Sequence, residues 1–340
     1  MTRRVTNSRN SSTVLNDKGN DLFLSGKFDQ ALKCYNKAIK KNPNDYLAWN
    51  NKGVVLEVLG DPTAALTCYD RSIKLNPEFE LAWYDKANTL RSLGKFTESL
   101  KCYDKAIALS PENVDWLNDK GETLHVLGKY KLALKCYDQL IETESASEVT
   151  YNNKGVTLDA MEKHEDAIKN YDIALKMDSK YEVAWINKGN SFAIQGKFGQ
   201  ALKCYNKGLK INAGYPIGWN SKADLLLTMD KPNDAIKCYD NALELAPDFA
   251  EAWKGKGNAL SSQGKFELAI KCYDNAIALD PTDVETWASK GRALGVLNRY
   301  NKALRCLKKA RTMNPNPELR EQIDELIDMF GYERKAKKRS

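Results

Sequence analysis

The stretch YLAWNNKGVVLEVLGDPTAALTCYDRSIKLNPEF, residues 46–79, contains two helical faces with a break after each. Trp49, Gly53 and Leu56 stand at i, i+4 and i+7, the spacing of one face of an α-helix. Gly60 interrupts that run, and Pro62 falls where a second helix would begin. Proline is tolerated in a first helical turn because its missing N–H would have had no partner there. Ala65, Tyr69, Ser72 and Ile73 form a second stripe, and Pro77 follows its stop. The stretch reads as a helical hairpin.

The cysteines show that this hairpin recurs. Cys34, Cys68, Cys102, Cys136, Cys204, Cys238, Cys272 and Cys306 are separated by 34 residues, except for one double gap in which Asn170 fills the missing place. Units starting at Ser12, Tyr46, Glu80, Val114, Glu148, Glu182, Pro216, Ala250 and Val284 tile residues 12–317 in nine copies. The fourth place holds Trp49, Trp83, Trp185, Trp219, Trp253 and Trp287; the eighth is Gly or Ala; the eleventh is Leu or Phe192; the twentieth is Ala or Ser99; the twenty-fourth is Tyr or Leu307. Small residues at places 8, 20 and 27 let two helices approach closely. Tyrosine and tryptophan are expected to fill the space between hairpins. Units 4 and 5 depart most, with Leu140 and Glu162 at places usually small.

The pattern W-x2-[KL]-G-x2-L, then A-x3-Y-x2-A, then P, resembles the tetratricopeptide repeat over nearly the whole chain. The resemblance implies an all-α fold, a right-handed superhelical solenoid of antiparallel helix pairs. First helices would line a concave groove and second helices would form a convex back. Stacked arrays need covers at their ends. Asn316 and Pro317 read as an N-cap and first helical residue, Leu319, Ile323, Leu326, Ile327 and Phe330 as one apolar stripe, and Gly331 as the stop. A capping helix over 318–330 is therefore expected to lie on the ninth hairpin. Residues 1–11 are expected to form a disordered tail, and 331–340 a basic one.

Charge and composition exclude several functions. The net charge of +7 resides in the two tails, so residues 12–330 are formally neutral and lack the cationic field of a nucleic-acid binder. No long apolar run suggests a membrane span, and Met1–Ser11 lacks the apolar segment of a secretory signal, which points to a cytoplasmic chain. Eight cysteines without a C-x2-C pair, beside only His125 and His164, argue for packed thiols over zinc or disulfides. The glycines of GNALSSQGKF have the wrong spacing for a phosphate loop, and Phe266 stands where Ser or Thr is needed. No cofactor, metal site or catalytic residue is indicated, and the chain reads as a binding scaffold and not an enzyme.

By resemblance, places 2, 5, 6, 9, 12 and 13 face the groove. Asn16, Asp17, Asn50, Asn51, Asp85, Asn118, Asp119, Asn152, Asn153, Asn187 and Asn220 at places 5 and 6, with Glu122 at place 9, make the candidate peptide-binding set. Each amide offers both a donor and an acceptor, so a ladder of them suits a peptide backbone; capping and bridging of neighbouring helices is the competing role. Ten acids (Asp17, Glu57, Asp85, Asp115, Asp119, Glu122, Asp159, Asp224, Glu251, Glu285) against three bases (Arg91, Lys254, Arg292) favour a neutral to basic protein or peptide partner. A carboxylate clamp of the kind found in chaperone-binding relatives is only begun, by Lys254 and Asn258. The seventh place is lysine in all nine units, from Lys18 to Lys290. These lysines either snorkel between hairpins or form a ladder for an anionic partner. The alternative function is accordingly an adaptor for nucleic acid or another anionic partner, using that ladder and the basic tails.

Overall fold

The computed structural model describes residues 11–336, which form nineteen α-helices and no strand. Two compact units divide them, Met1–Lys163 and His164–Ser340. The first unit holds α1 (Ser11–Leu24), α2 (Phe28–Lys41), α3 (Tyr46–Val58), α4 (Pro62–Leu75), α5 (Glu80–Ser92), α6 (Phe96–Leu109), α7 (Trp116–Val126), α8 (Tyr130–Glu142) and α9 (Glu148–Asp159). The second holds α10 (His164–Met177), α11 (Glu182–Ile194), α12 (Phe198–Ile211), α13 (Pro216–Thr228), α14 (Pro232–Leu245), α15 (Ala250–Ser262), α16 (Phe266–Leu279), α17 (Val284–Val296), α18 (Tyr300–Thr312) and α19 (Pro317–Ala336).

Each hairpin closes on one device. Alanine or serine at place 20 is fully buried from Ala31 to Ala303, and the place-24 tyrosine crosses beneath the first helix of its own hairpin. An added Cβ at Gly19, Gly53, Gly189 or Gly257 would come within 2.5 Å of the ring of Tyr35, Tyr69, Tyr205 or Tyr273. The tyrosine thus fills space within its own hairpin and also reaches the next one, as the sequence pattern suggests: Tyr35 clusters with Val55 of the second hairpin. Unit 7 has Ala223 at place 8, and there the ring of Tyr239 leans on Gly255 of the next hairpin, where a Cβ would lie 2.5 Å away.

Tryptophan also lies between hairpins, Trp253 packing against the apolar clusters on both sides of it. The six fourth-place tryptophans are half-buried. Each indole N–H donates to a carbonyl of the preceding inter-hairpin turn, from Trp49 on Pro43 at 3.0 Å to Trp287 on Pro281 at 3.1 Å.

Within hairpins the turn is a left-handed residue at place 15. Gly26, Gly60, Gly94, Gly128, Gly196 and Gly264 have φ between 70° and 84°, and Glu162, Asp230 and Asn298 hold the same conformation with side chains. The following N–H bonds back five residues, Lys27 to Leu22 at 2.9 Å for instance, satisfying a carbonyl at the helix end.

At the C-terminus, the Asn316 side chain accepts from the Leu319 N–H at 2.8 Å. Helix α19 packs on α18 and α17, burying Ile323 and Phe330. The Phe330 ring occupies the space that a Cβ on Gly295 would need. The helix does not stop at Gly331. It continues to Ala336, because an uncapped glycine keeps helical geometry when good helix formers such as Glu333, Arg334 and Lys335 follow. The expected tails lie outside the described residues, save Ser11 in α1 and 331–336 in α19.

Candidate functional site

In the first unit each of α1, α3, α5, α7 and α9 touches the next of that series, and in the second unit α11, α13, α15, α17 and α19 do the same. No two second helices make such a contact among the described residues. First helices are therefore crowded and second helices splayed, so within each unit the first-helix side is the inner, concave one.

The polar residues of that inner side bond mostly to one another across repeats. The Asn51 amide donates to Asn16 and to Asn20, both at 3.1 Å. Asn50 donates to Asp85 at 2.8 Å, Tyr84 to Asp119 at 2.7 Å, and Thr89 to Glu57 at 2.9 Å. Asn16, Asn50 and Asn152 are buried and serve as ties between or within first helices. Asn51, Asp85, Asn118, Asp119, Asn153, Asn187 and Asn220 are half-buried, while Asp17 and Glu122 are exposed. Fifth-place carbonyl oxygens of Asn50, Asn118 and Asn220 are buried without a hydrogen-bond partner.

Place 9 carries amides that the candidate set omits. Tyr35 donates to Asn20 Oδ1 at 2.8 Å, Tyr103 to Asn88 at 2.5 Å, Tyr205 to Asn190 at 2.8 Å and Tyr273 to Asn258 at 2.9 Å. The hydroxyl that emerges past the place-8 glycine thus fixes which end of each amide is the acceptor. At Asn88 the remaining –NH2 group meets the Tyr84 hydroxyl. The sequence signal is present but easily missed: the amide precedes its tyrosine by 15 residues each time.

Two carboxylate-rich regions result. In the first unit Glu57 and Asp85 are neighbours across repeats 2 and 3, and Arg91 pairs with Glu122 and lies 3.6 Å from Asp119. Burial pushes the Asp85 carboxyl up to about 6, against the Asn50 hydrogen bond that lowers it, with Glu57 adding to the rise. In the second unit a cleft of about 460 Å³ is lined by Asn220, Asp224, Glu251, Lys254 and Asn258 among others. Partial burial raises the Asp224 carboxyl despite hydrogen bonds from Tyr239 at 2.5 Å and Asn220 at 3.0 Å. Lys254 is neutralised by Asp283 at 3.1 Å and Glu285 at 3.3 Å, so it is not an open anion receptor.

The seventh-place lysines turn away from this side. Lys86, Lys120, Lys154, Lys188 and Lys256 pair with Asp70, Asp104, Asp138, Asp172 and Asp240 on the second helix of the preceding repeat, at 2.5–2.7 Å. Lys290 pairs with Asp274 in the same way. Many also lie over the tryptophan of their own repeat, Lys52 at 5.4 Å from the Trp49 ring and Lys222 at 5.4 Å from Trp219. Asn36 and Asn206 stand where those two would otherwise meet aspartate. The recurring Asp at place 25 was legible in the sequence as the complement of the recurring Lys at place 7.

Residues 16–78, 81–113, 149–181, 183–215, 218–249, 250–283 and 272–305 match family models described as tetratricopeptide repeat, together more than half of the chain. The chain belongs to the tetratricopeptide repeat family. No curated protein matches this tetratricopeptide array. Among solved structures it is similar to YrrB, described as a TPR protein with an unusual peptide-binding site, at 22% identity, covering 56% of this chain and 97% of that one with a TM-score of 0.44. It is also similar to MamA, at 21% identity, covering 47% and 93% of the two chains with a TM-score of 0.43. The eight cysteines of the array are buried and unpaired. Among the described residues no helix is long and apolar enough to cross a membrane.

Proposed function

We propose that this tetratricopeptide array is a protein-interaction scaffold, without catalytic activity of its own, that holds an extended segment with basic side chains against its inner face. One observation carries the reading: repeats 2–4 bring Glu57, Asp85, Asp119 and Glu122 to the inner side, where Arg91 pairs with Glu122 and lies near Asp119. Their excess negative charge is what a lysine or arginine of a bound segment would offset. Amide –NH2 groups at place 9 supply donors for the segment's backbone carbonyls. Asn51, Asn118 and Asn153 of the same unit remain within reach as half-buried contacts, and Asn187 and Asn220 would serve the same role on the inner side of the second unit. Asn16, Asn50 and Asn152 act through the scaffold, by holding adjacent first helices in register.

The orientation of the lysines removes support from the anionic-partner alternative on the inner face, since six of them are already paired on the other side. The test is a peptide array of Lys- and Arg-bearing sequences, followed by titration of the best binder. The double variant Asp119→Asn/Glu122→Gln should weaken it about tenfold, on the scale of one lost charge-assisted contact, and should flatten its salt dependence. Unchanged affinity in that variant would move the binding surface elsewhere.

A further inference from the structure

The outer helices of the second unit are unequal in charge. Helix α10 carries Glu165, Asp166 and Asp172, and α14 carries Asp234, Asp240 and Glu244, whereas α12 between them carries no acid and has Lys203, Lys207 and Lys210. The difference lies at matched places. Asp166 and Asp234 pair with the lysine three residues on, at 2.8 Å and 3.3 Å; the same place on α12 is Gln200. Asp172 and Asp240 hold the next repeat's lysine; the same place on α12 is Asn206. Lys207, left without a carboxylate, settles 4.3 Å from the Trp185 ring centroid.

Beside this acid-free helix a cleft of about 500 Å³ opens on the outer side of repeat 6, floored by Trp185 and Phe192 and rimmed by Lys188, Lys203 and Lys207. Lys188 is committed to Asp172, but Lys203 and Lys207 are exposed and paired with no carboxylate among the described residues. An apolar floor under a cationic rim fits one chemistry: an apolar side chain flanked by carboxylates.

We propose that this outer cleft is a second docking site, taking an acidic protein segment that seats a Leu or Phe side chain against Trp185 and Phe192 while its carboxylates meet Lys203 and Lys207. Two features favour a polypeptide over a nucleic acid. The acids of α10 and α14 flank α12 along the outer side and would repel a running phosphate backbone. The Trp185 N–H is tied to the Ser179 carbonyl at 3.1 Å and is not free to donate to a base, and the cleft's two rings, Trp185 and Phe192, make no track for successive stacked bases. The site is distinct from the inner face, and one chain could hold a basic and an acidic partner at once.

The experiment uses the full chain and a fluorescein-labelled peptide of glutamates interspersed with leucine and phenylalanine, read by anisotropy. Saturable binding is expected. Lys203→Glu/Lys207→Glu should weaken it by at least about tenfold, on the scale of interfacial charge pairs, with an unchanged helical circular-dichroism spectrum; Lys203→Arg/Lys207→Arg should retain it. Asp119→Asn/Glu122→Gln should leave it unaltered, which separates this site from the inner one. The proposal is overturned if the peptide does not bind, if the Glu variant binds it as tightly as the native chain, if a peptide with serine in place of leucine and phenylalanine binds equally, or if oligo-dT binds more tightly.

Discussion

At the residue scale, the place-8 and place-15 glycines look alike in sequence and do opposite work. Gly189 has no room for a side chain, since a Cβ would strike the Tyr205 ring at 2.5 Å, whereas Gly199 on α12 has nothing within 4 Å. Gly189→Ala should therefore lower the urea midpoint by the equivalent of about 1–3 kcal/mol of overpacking. Gly199→Ala should raise it by about 0.5–1 kcal/mol, because a helical alanine loses less backbone freedom. At place 15 the constraint is the backbone. Glu162 holds φ at 60° in open surroundings where six repeats use glycine, so Glu162→Gly should stabilise its hairpin by roughly 1 kcal/mol. Sequence reading singled out Glu162 as a misfit; the sign of φ, which explains it, was not in the pattern. The packed thiols were legible from their spacing. Burial raises the thiols of Cys68, Cys102, Cys136, Cys204, Cys238, Cys272 and Cys306, which keeps them protonated and unreactive. A thiol reagent should label them only as the chain unfolds; rapid native-state labelling would contradict the packing.

At the element scale, the decisive unit is the junction between one hairpin and the next. Hairpins were readable because their apolar places repeat with helical period, and α19 because its stripe does. The polar half of the site was not, since an asparagine on an inner face can contact a ligand or tie two helices, and only coordinates distinguish Asn16 and Asn50, which are buried, from Asp17, which is exposed. Helix α19 shows how a junction ends. Phe330 lies on Gly295, and Ile323 is wholly buried beside α18. Phe330→Ala should cost about 3 kcal/mol locally, and hydrogen exchange should rise first in α17 and α18, because repeat arrays couple mainly to neighbours. An equal rise in α13–α16 would show that the array melts as a block.

At the scale of the whole molecule, the formal neutrality of residues 12–330 conceals segregation of charge: within each unit carboxylates collect on the inner side, and lysines lie among the outer helices. The inner side also carries a pH dependence. Asp85 has its folded value near 6 and an ordinary unfolded value of 3.8. Its native state is thus favoured fully below 3.8, and that contribution is lost as pH rises toward 6. Asp85→Asn should flatten the stability profile across that window. A basic peptide bound on the inner face should weaken as pH falls through 6, because the Asp85 charge is then lost; strengthening on acidification would place the peptide away from Asp85. The Lys-to-Asp tie between places 7 and 25 has another consequence, for how such a chain can lengthen or shorten. Excising residues 250–283 would bring Lys290 beside Asp240, and the tie would re-form without redesign. Excising residues 216–249 would instead deliver Lys256 to Asn206, leaving its ammonium without a carboxylate. Insertion and loss of whole 34-residue blocks are therefore tolerated unequally along the gene, and the two asparagines at 36 and 206 mark the seams where a duplicated block would be accepted least readily.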